Sequence, residues 1–377
     1  MKVVVVLGTR PEIIRLSCVI ERLDPLCDLH VIHTGQNFER SLSDVFFDEL
    51  EVRAPDRHLG VTGGSFAARV GAILDAAHRA FEEERPDRLL VLGDTDSAMS
   101  AAYVAKRMGI PVLHMEAGNR CFDDRIPEEV NRRVIDGCSD LLMPYTERSR
   151  ENLLREGFPA NRVLVIGNPI KEVLDRHEAR IAATTVRADL GLEPDRYLLL
   201  TLHRQETVDH PHRLQAMLEE IGAAAEDLRL PVVFSVHPRT REWLERLGLT
   251  PEGVLWRLCE PFGYFDFVAL VSEARCVLTD SGTVQEECCI LGIPAVTVRE
   301  VTERPETLEC GSNALAGVGA GALRRLITVA CETARDFSPP PEYLVPHVSS
   351  TVAKLVLGRL PLATHASLPS DQLMPSL

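Results

Sequence analysis

The chain has 377 residues, 45% hydrophobic and 26% charged, with a formal net charge of -15. This length suits two domains of ordinary size, each burying its own core, and the composition excludes a fibrous or disordered protein. The acidic balance argues against a nucleic-acid partner, no apolar run is long enough to cross a membrane, and ten cysteines without a CxxC pair fit a reducing, cytoplasmic setting.

Val3 to Leu7 is a short apolar run that turns directly into Gly8-Thr9-Arg10-Pro11-Glu12, with no small-residue cleavage site behind it. It reads as a first buried strand rather than a signal peptide. Thr9 and Glu12 are spaced as a capping box and Pro11 falls in a first turn, so a helix is predicted over Pro11 to Leu23. Its N-terminus, with Arg10 beside it, reads equally as a phosphate site and as an ordinary cap. The GxGxxG that a dinucleotide needs at this turn is absent, so no nicotinamide cofactor is expected.

Further strand-like runs follow at Leu29 to His33, Leu89 to Leu92, Pro111 to Met115, Leu141 to Met143 and Val163 to Ile166. Between them lie helical patterns at Phe66 to Glu84 and Ser97 to Met108. A second series comes after the charged stretch Lys171 to Asp189, with runs at Tyr197 to Leu202, Pro231 to Val236, Val254 to Leu258, Cys276 to Thr279 and Pro294 to Val298. Apolar runs alternating with amphipathic stretches predict an α/β architecture of two Rossmann-like doubly wound domains facing across a cleft. The expected boundaries are 1–170 and 171–347, with a closing helix over 348–360 and an aperiodic tail, read as mobile, over 361–377.

Three first-half carboxylates stand in loops after strands: Asp94 in Leu92-Gly93-Asp94-Thr95, Glu116 in His114-Met115-Glu116-Ala117-Gly118, and Glu128 in Pro127-Glu128-Glu129. Strand ends of a parallel sheet converge on one rim, and grouped carboxylates raise one another's proton affinity, which suits acid and base roles near neutral pH. The second half adds His203, His237 and the cluster Glu303-Arg304-Pro305-Glu306. Thr279-Asp280-Ser281-Gly282-Thr283 opens a helix after an apolar strand and forms a second candidate anion site, where a bare strand-Gly-helix turn is the common alternative. Glu287, one turn on, is placed to accept both hydroxyls of a ribose. No histidine pair has zinc-ligand spacing, and neither a serine nucleophile elbow nor a P-loop is present, so no metal is required.

Gly8-Thr9-Arg10-Pro11-Glu12, Gly93-Asp94-Thr95, Glu116-Ala117-Gly118, Pro127-Glu128-Glu129 with Asn131-Arg132, His203-Arg204, Asp280-Ser281-Gly282 with Gln285-Glu286-Glu287, and Thr302-Glu303-Arg304-Pro305-Glu306 occur in register from residue 1 to about 360. Together they resemble the non-hydrolysing UDP-N-acetylglucosamine 2-epimerases. The resemblance implies the glycosyltransferase-B fold, a homodimer, and a UDP-sugar held in the interdomain cleft without a cofactor. It implies that Asp94, Glu116 and Glu128 are catalytic carboxylates, with His203 against the diphosphate. Arg10, Ser281, Gly282 and Arg304 would hold phosphate or sugar, Glu287 the ribose, and the backbone at Phe267 the uracil; Arg132, His237 and Thr283 complete the substrate-binding set. Ser281-Gly282-Thr283, Gly35-Gln36-Asn37 and Ala117-Gly118-Asn119-Arg120-Cys121-Phe122 look more like the branch that makes UDP-N-acetyl-L-fucosamine from a 6-deoxy precursor.

The C2 proton of an N-acetylglucosamine unit has no carbonyl neighbour to acidify it. Without a nicotinamide for transient oxidation, the expected route is elimination of UDP to a 2-acetamidoglucal and re-addition to the opposite face. Rivals are a glycosyltransferase on the same fold, a hydrolysing epimerase, and a nucleotide-sugar-binding regulator. Bacterial members of the family carry a second, regulatory UDP-sugar site drawing on a Gly-Gln-His loop. Gln36-Asn37-Phe38-Glu39 stands there in this chain, and a carboxylate at Glu39 predicts simple hyperbolic kinetics.

Overall fold

The computed structural model describes residues 1–35, 46–61, 63–317 and 321–360, leaving out the side chains of 205 and 206. Gln36 to Glu39 and the tail 361–377 lie outside the described residues. In the first half, β1 (Lys2–Leu7), β2 (Asp28–His33), β3 (Arg57–His58), β4 (Arg88–Leu92), β5 (Val112–Met115) and β6 (Leu141–Met143) form one parallel sheet in the order β3-β2-β1-β4-β5-β6. In the second half, β7 (Leu198–Leu202), β8 (Val232–Val236), β9 (Trp256–Cys259), β10 (Cys276–Thr279), β11 (Ala295–Thr297) and β12 (Asn313–Leu315) form another parallel sheet in the order β12-β11-β10-β7-β8-β9. Counted from its own first strand, each sheet runs 3-2-1-4-5-6, the doubly wound Rossmann order.

Both faces of each sheet are covered, which is why its strands read as unbroken apolar runs rather than alternating ones. Val3, Val5 and Leu7 of β1 pack with the Arg10–Leu23 helix, while Val4 and Val6 pack on the other face with the Phe66–Glu84 and Asp96–Arg107 helices. In the second sheet Leu198, Leu200 and Leu202 meet the Pro211–Leu228 helix on one side. Leu199 meets the Tyr264–Ser272 and Gly282–Leu291 helices on the other.

The Val348–Leu357 helix crosses back to the first sheet: Val348, Val352 and Val356, spaced along one face, join the core around Leu16, Val19 and Ile20. This places the chain's last described helix against its first. Val163 to Ile166, expected as a strand, makes only a single bridge from Val163 to Leu142. β3 and β12, of two and three residues, are too short to leave a periodic signal in the sequence.

Candidate active site in the cleft

Asp94, Glu116, His203, His237 and Ser281 follow the carboxyl ends of strands, the rim where α/β proteins bind ligands, whereas Glu128, expected in a loop after a strand, lies in the first turn of the Pro127–Cys138 helix. At the turn after β1, Glu12 folds back and accepts hydrogen bonds from the Gly8 N–H (2.9 Å), the Thr9 N–H (2.8 Å) and the hydroxyls of Thr9 (2.8 Å) and Thr95 (2.9 Å). The chain's own carboxylate thus takes the N–H groups of Gly8 and Thr9, just ahead of the Arg10–Leu23 helix, and completes the capping box read from the sequence. Burial lifts the Glu12 carboxyl to about 7 despite those four donors. Arg10 stacks 5.7 Å from the Phe46 ring centroid and lies close enough for its charge to be felt at His237.

His203 and His237 follow β7 and β8, with ring centroids 5.8 Å apart. The His203 Nδ1 is 2.9 Å from Asp280 Oδ1, and Asp280 also accepts the His203 and Arg204 N–H groups, each at 2.9 Å. Burial opposes the Asp280 charge, yet His203 and those N–H groups hold its carboxyl down at about 2. An ionised Asp280 fixes the proton of His203 on Nδ1 and turns Nε2 outward. Burial, with the charges of His203 and Arg10, pushes His237 down to about 4, so its ring is neutral at physiological pH. Arg10, His203 and His237, drawn from both domains, thus gather at one place beside Ser281. Ser281 occupies the N-cap of the Gly282–Leu291 helix without capping it through its hydroxyl. Gly282 is there for close packing as well, since a Cβ would come within 2.9 Å of Glu303 Oε1.

A second group centres on Arg132, which is almost fully buried. Its guanidinium lies 2.6 Å from Asp94, 2.9 Å from Glu129 and 3.8 Å from Glu303. Arg204 pairs with Glu303 at 3.2 Å and approaches Glu128 at 3.8 Å. Asp94 and Glu128 are therefore both within one arginine of Glu303, which belongs to the opposite domain. Against the cost of burial, Arg299, Arg204 and Arg132 keep Glu303 well below the usual carboxylate range.

A third group is a closed ring of four buried charges. Arg15 donates to Glu116 and, at 2.5 Å, to Glu286; Arg304 donates to Glu116 at 2.8 Å and to Glu286. Arg15 also donates to the Thr283 hydroxyl at 3.0 Å. Two members come from each domain, so the ring bridges the cleft. Burial raises the cost of ionising Glu116, but Arg15 and Arg304 outweigh it and hold the carboxyl below its ordinary range. Glu116 also adopts φ +67°, a left-handed conformation that a non-glycine residue holds only when its surroundings impose it.

Glu287 stands apart from these ion pairs and burial lifts its carboxyl to about 8. Phe267, whose backbone is expected at the uracil, lies in the first turn of the Tyr264–Ser272 helix and donates its N–H to the Gly263 carbonyl at 3.0 Å. Arg15, which ties Glu116 to Glu286 across the cleft, is the member of the closed ring that the sequence did not point to. Its signal was a charge set among Ile13, Ile14 and Leu16 on a helix buried at every residue from Glu12 to Ile20.

Two facing Rossmann-like sheets with a charged cleft at their strand ends define a protein of the glycosyltransferase-B type. The family model described as UDP-N-acetylglucosamine 2-epimerase matches residues 22–356. The chain is 38% identical over 347 residues to the UDP-N-acetylglucosamine 2-epimerase of Methanocaldococcus jannaschii, covering 90% of this chain and 95% of that protein. It is 36% identical over 339 residues to the UDP-2,3-diacetamido-2,3-dideoxy-D-glucuronate 2-epimerase of Pseudomonas aeruginosa, covering 88% and 92%. The crystal structure of the Methanocaldococcus jannaschii UDP-GlcNAc 2-epimerase in complex with UDP-GlcNAc and UDP superposes with a TM-score of 0.90 at 36% identity, over 94% of this chain and 99% of that one. The chain belongs to the UDP-N-acetylglucosamine 2-epimerase family and is an isomerase.

Proposed function

We propose that the chain interconverts UDP-N-acetylglucosamine and UDP-N-acetylmannosamine by anti elimination of UDP and re-addition. A carboxylate takes the C2 proton as the C1–O bond breaks, and UDP leaves with the bonding electrons. The product is a 2-acetamidoglucal, to which UDP oxygen returns at C1 while a proton is delivered to the opposite face of C2. The observation that carries this reading is the meeting of Asp94, Glu116 and Glu128 with Arg132, Arg304 and Arg204 at one rim. Such a set offers proton carriers next to cations suited to a departing diphosphate. Glu116, ionised between two arginines, is assigned the acceptor role, and Arg10, His203, His237, Ser281 and Gly282 the diphosphate. Glu287 is assigned the ribose.

A second reading, a UDP-2-acetamido-2,6-dideoxy sugar as substrate, is favoured by the sequence runs at Gly35-Gln36-Asn37, Ala117 to Phe122 and Ser281-Gly282-Thr283. The near-equal identity to the Methanocaldococcus and Pseudomonas relatives, which are named for different sugars, widens the substrate panel. We also propose a homodimer through the adjoining Phe66–Glu84 and Asp96–Arg107 helices, which leave Phe66 and Tyr103 exposed; a monomeric mass by light scattering would remove that part.

The test is turnover of each UDP-sugar in heavy water, followed by NMR of the products. The expected result is a UDP-linked 2-epimer with deuterium at C2. Retention of hydrogen in both epimers would sink the elimination route, and free N-acetylmannosamine would mean a hydrolysing enzyme. Asp94→Asn, Glu116→Gln and Glu128→Gln should each slow turnover by roughly two to four powers of ten with UDP affinity little changed.

A further inference from the structure

His114 sits on β5, fully buried, behind the catalytic rim and outside every role assigned so far. Its Nδ1 is 2.8 Å from Asp136 Oδ1 and its Nε2 is 2.8 Å from the Gly93 carbonyl oxygen. Both neighbours only accept. A neutral imidazole carries one N–H and one lone pair, so either tautomer would point a lone pair at an oxygen in a dry site, an arrangement that costs the full penalty of an unmade bond. The ring satisfies both contacts only with a hydrogen on each nitrogen.

The surroundings supply the balancing charge. Asp136, on the Pro127–Cys138 helix, is fully buried and also accepts from Arg120 at 2.7 Å and from the Gly118 N–H at 3.3 Å. Burial opposes its ionisation, yet His114 and Arg120 together hold it below the usual carboxylate range. Arg120 in turn donates to Glu156 at 2.8 and 2.6 Å, so it is neutralised independently of Asp136.

The far end of this chain of bonds is the turn that carries Asp94. Gly93 has φ +73° and donates its N–H to the Met115 carbonyl at 3.1 Å, while its own carbonyl takes the His114 bond. The next carbonyl, that of Asp94, accepts from Asn131 at 2.9 Å, and the Asp94 side chain meets Arg132. Asn131, Arg132 and Asp136 belong to one helix, so a single element grips the turn directly at two points and through His114 at a third.

We propose that His114 is a positioning residue: donating from both ring nitrogens, it ties the Gly93 carbonyl to Asp136 and so sets where Asp94 stands against the substrate. This rests on the catalytic reading of Asp94. Loss of the tie lets the Gly93-Asp94 peptide shift, and a displacement of about 1 Å at a reacting group costs on the order of 10²-fold in rate.

Two arms test it. In a spectrum of 15N-histidine-labelled enzyme, the pair of ring signals lost in His114→Gln should both be of the hydrogen-bearing type at neutral pH. A lone-pair nitrogen in that pair overturns the proposal whatever Asp94 does. In kinetics, His114→Gln should lower kcat by about 10- to 100-fold with KM and UDP affinity unchanged. The double variant His114→Gln with Asp136→Asn should recover at least about tenfold. There the Gln amide can donate to Gly93 while its carbonyl accepts from Asn. Wild-type kcat in His114→Gln, a change confined to KM, or no recovery in the double variant would each overturn it. Should Asp94→Asn turn over at the wild-type rate, the catalytic reading fails by itself and the labelled spectrum still decides the bonding of His114.

Discussion

Burial holds the Glu287 carboxyl at about 8, against 4.5 for an ordinary glutamate. The folded protein therefore keeps a proton that the unfolded chain gives up as pH rises above about 4.5. The contribution of this group to stability is complete below that pH and is lost as pH climbs through about 8. Glu287→Gln has no such proton to lose. Its denaturation midpoint should rise relative to wild type between about pH 5 and pH 8.5, and a constant difference over that window would show that the site is wetter than its burial indicates. If Glu287 also meets a ribose, Glu287→Ala should weaken UDP, because it removes the acceptor oxygen, whereas Glu287→Gln keeps one acceptor and one donor in place of the protonated carboxyl. Glu116 shows the opposite case: it is equally buried, but two arginines keep it ionised. Neighbouring charge, not depth, separates the two glutamates.

At the scale of elements, the Pro127–Cys138 helix organises the first-domain half of the site. Glu128, Asn131, Arg132 and Asp136 recur at helical spacing and serve the cleft, the Asp94 turn and His114. Gly118 fixes how the loop after β5 leaves for that helix. It holds φ +77°, and a Cβ there would lie 2.3 Å from the Ser149 carbonyl and 2.8 Å from Leu153. Neither obstacle is the end of a flexible chain. Gly118→Ala should therefore destabilise the protein by about 3 kcal/mol or more, combining steric overlap with a conformation that L-residues avoid. Urea denaturation checks this, and a loss below about 1 kcal/mol would mean that the loop shifts at little cost. The Glu116 turn, two residues earlier, would then have to move as well.

For the whole molecule, the ring of Arg15, Glu116, Arg304 and Glu286 closes the cleft with paired charges from both domains. Removing one member leaves a buried charge without its partner, which costs about 3–5 kcal/mol if the cleft stays shut. Parting the domains rehydrates the survivors and avoids that cost. Arg15→Ala should therefore favour an open form, seen as a larger radius of gyration by small-angle scattering without ligand and a return toward the wild-type value with UDP. Identical scattering for the two proteins would show that apolar contacts hold the closure instead. The candidates are Phe265 and Val268 of the second domain, which pack into the first core.

The sequence by itself determined the longer elements and their order, but not the short strands β3 and β12, nor that Val163 to Ile166 forms only a bridge and that Glu128 sits on a helix. Apolar runs, capping boxes and turn glycines act within a few residues, so the placement of Asp94, Glu116, His203 and Ser281 just beyond their strands was legible. The tertiary structure decided what those residues face. Arg15 and Glu286 are 271 positions apart, and only the facing of two sheets brings them together. The same holds for the Val348–Leu357 helix, whose apolar stripe was evident but whose partner, the Arg10–Leu23 helix, was not. A stripe states that a face must be buried and leaves open against what. Charge states followed from that arrangement too: burial, absent from any local pattern, set Glu287 and Glu12 high, and arginines from distant segments set Glu116 and Glu303 low.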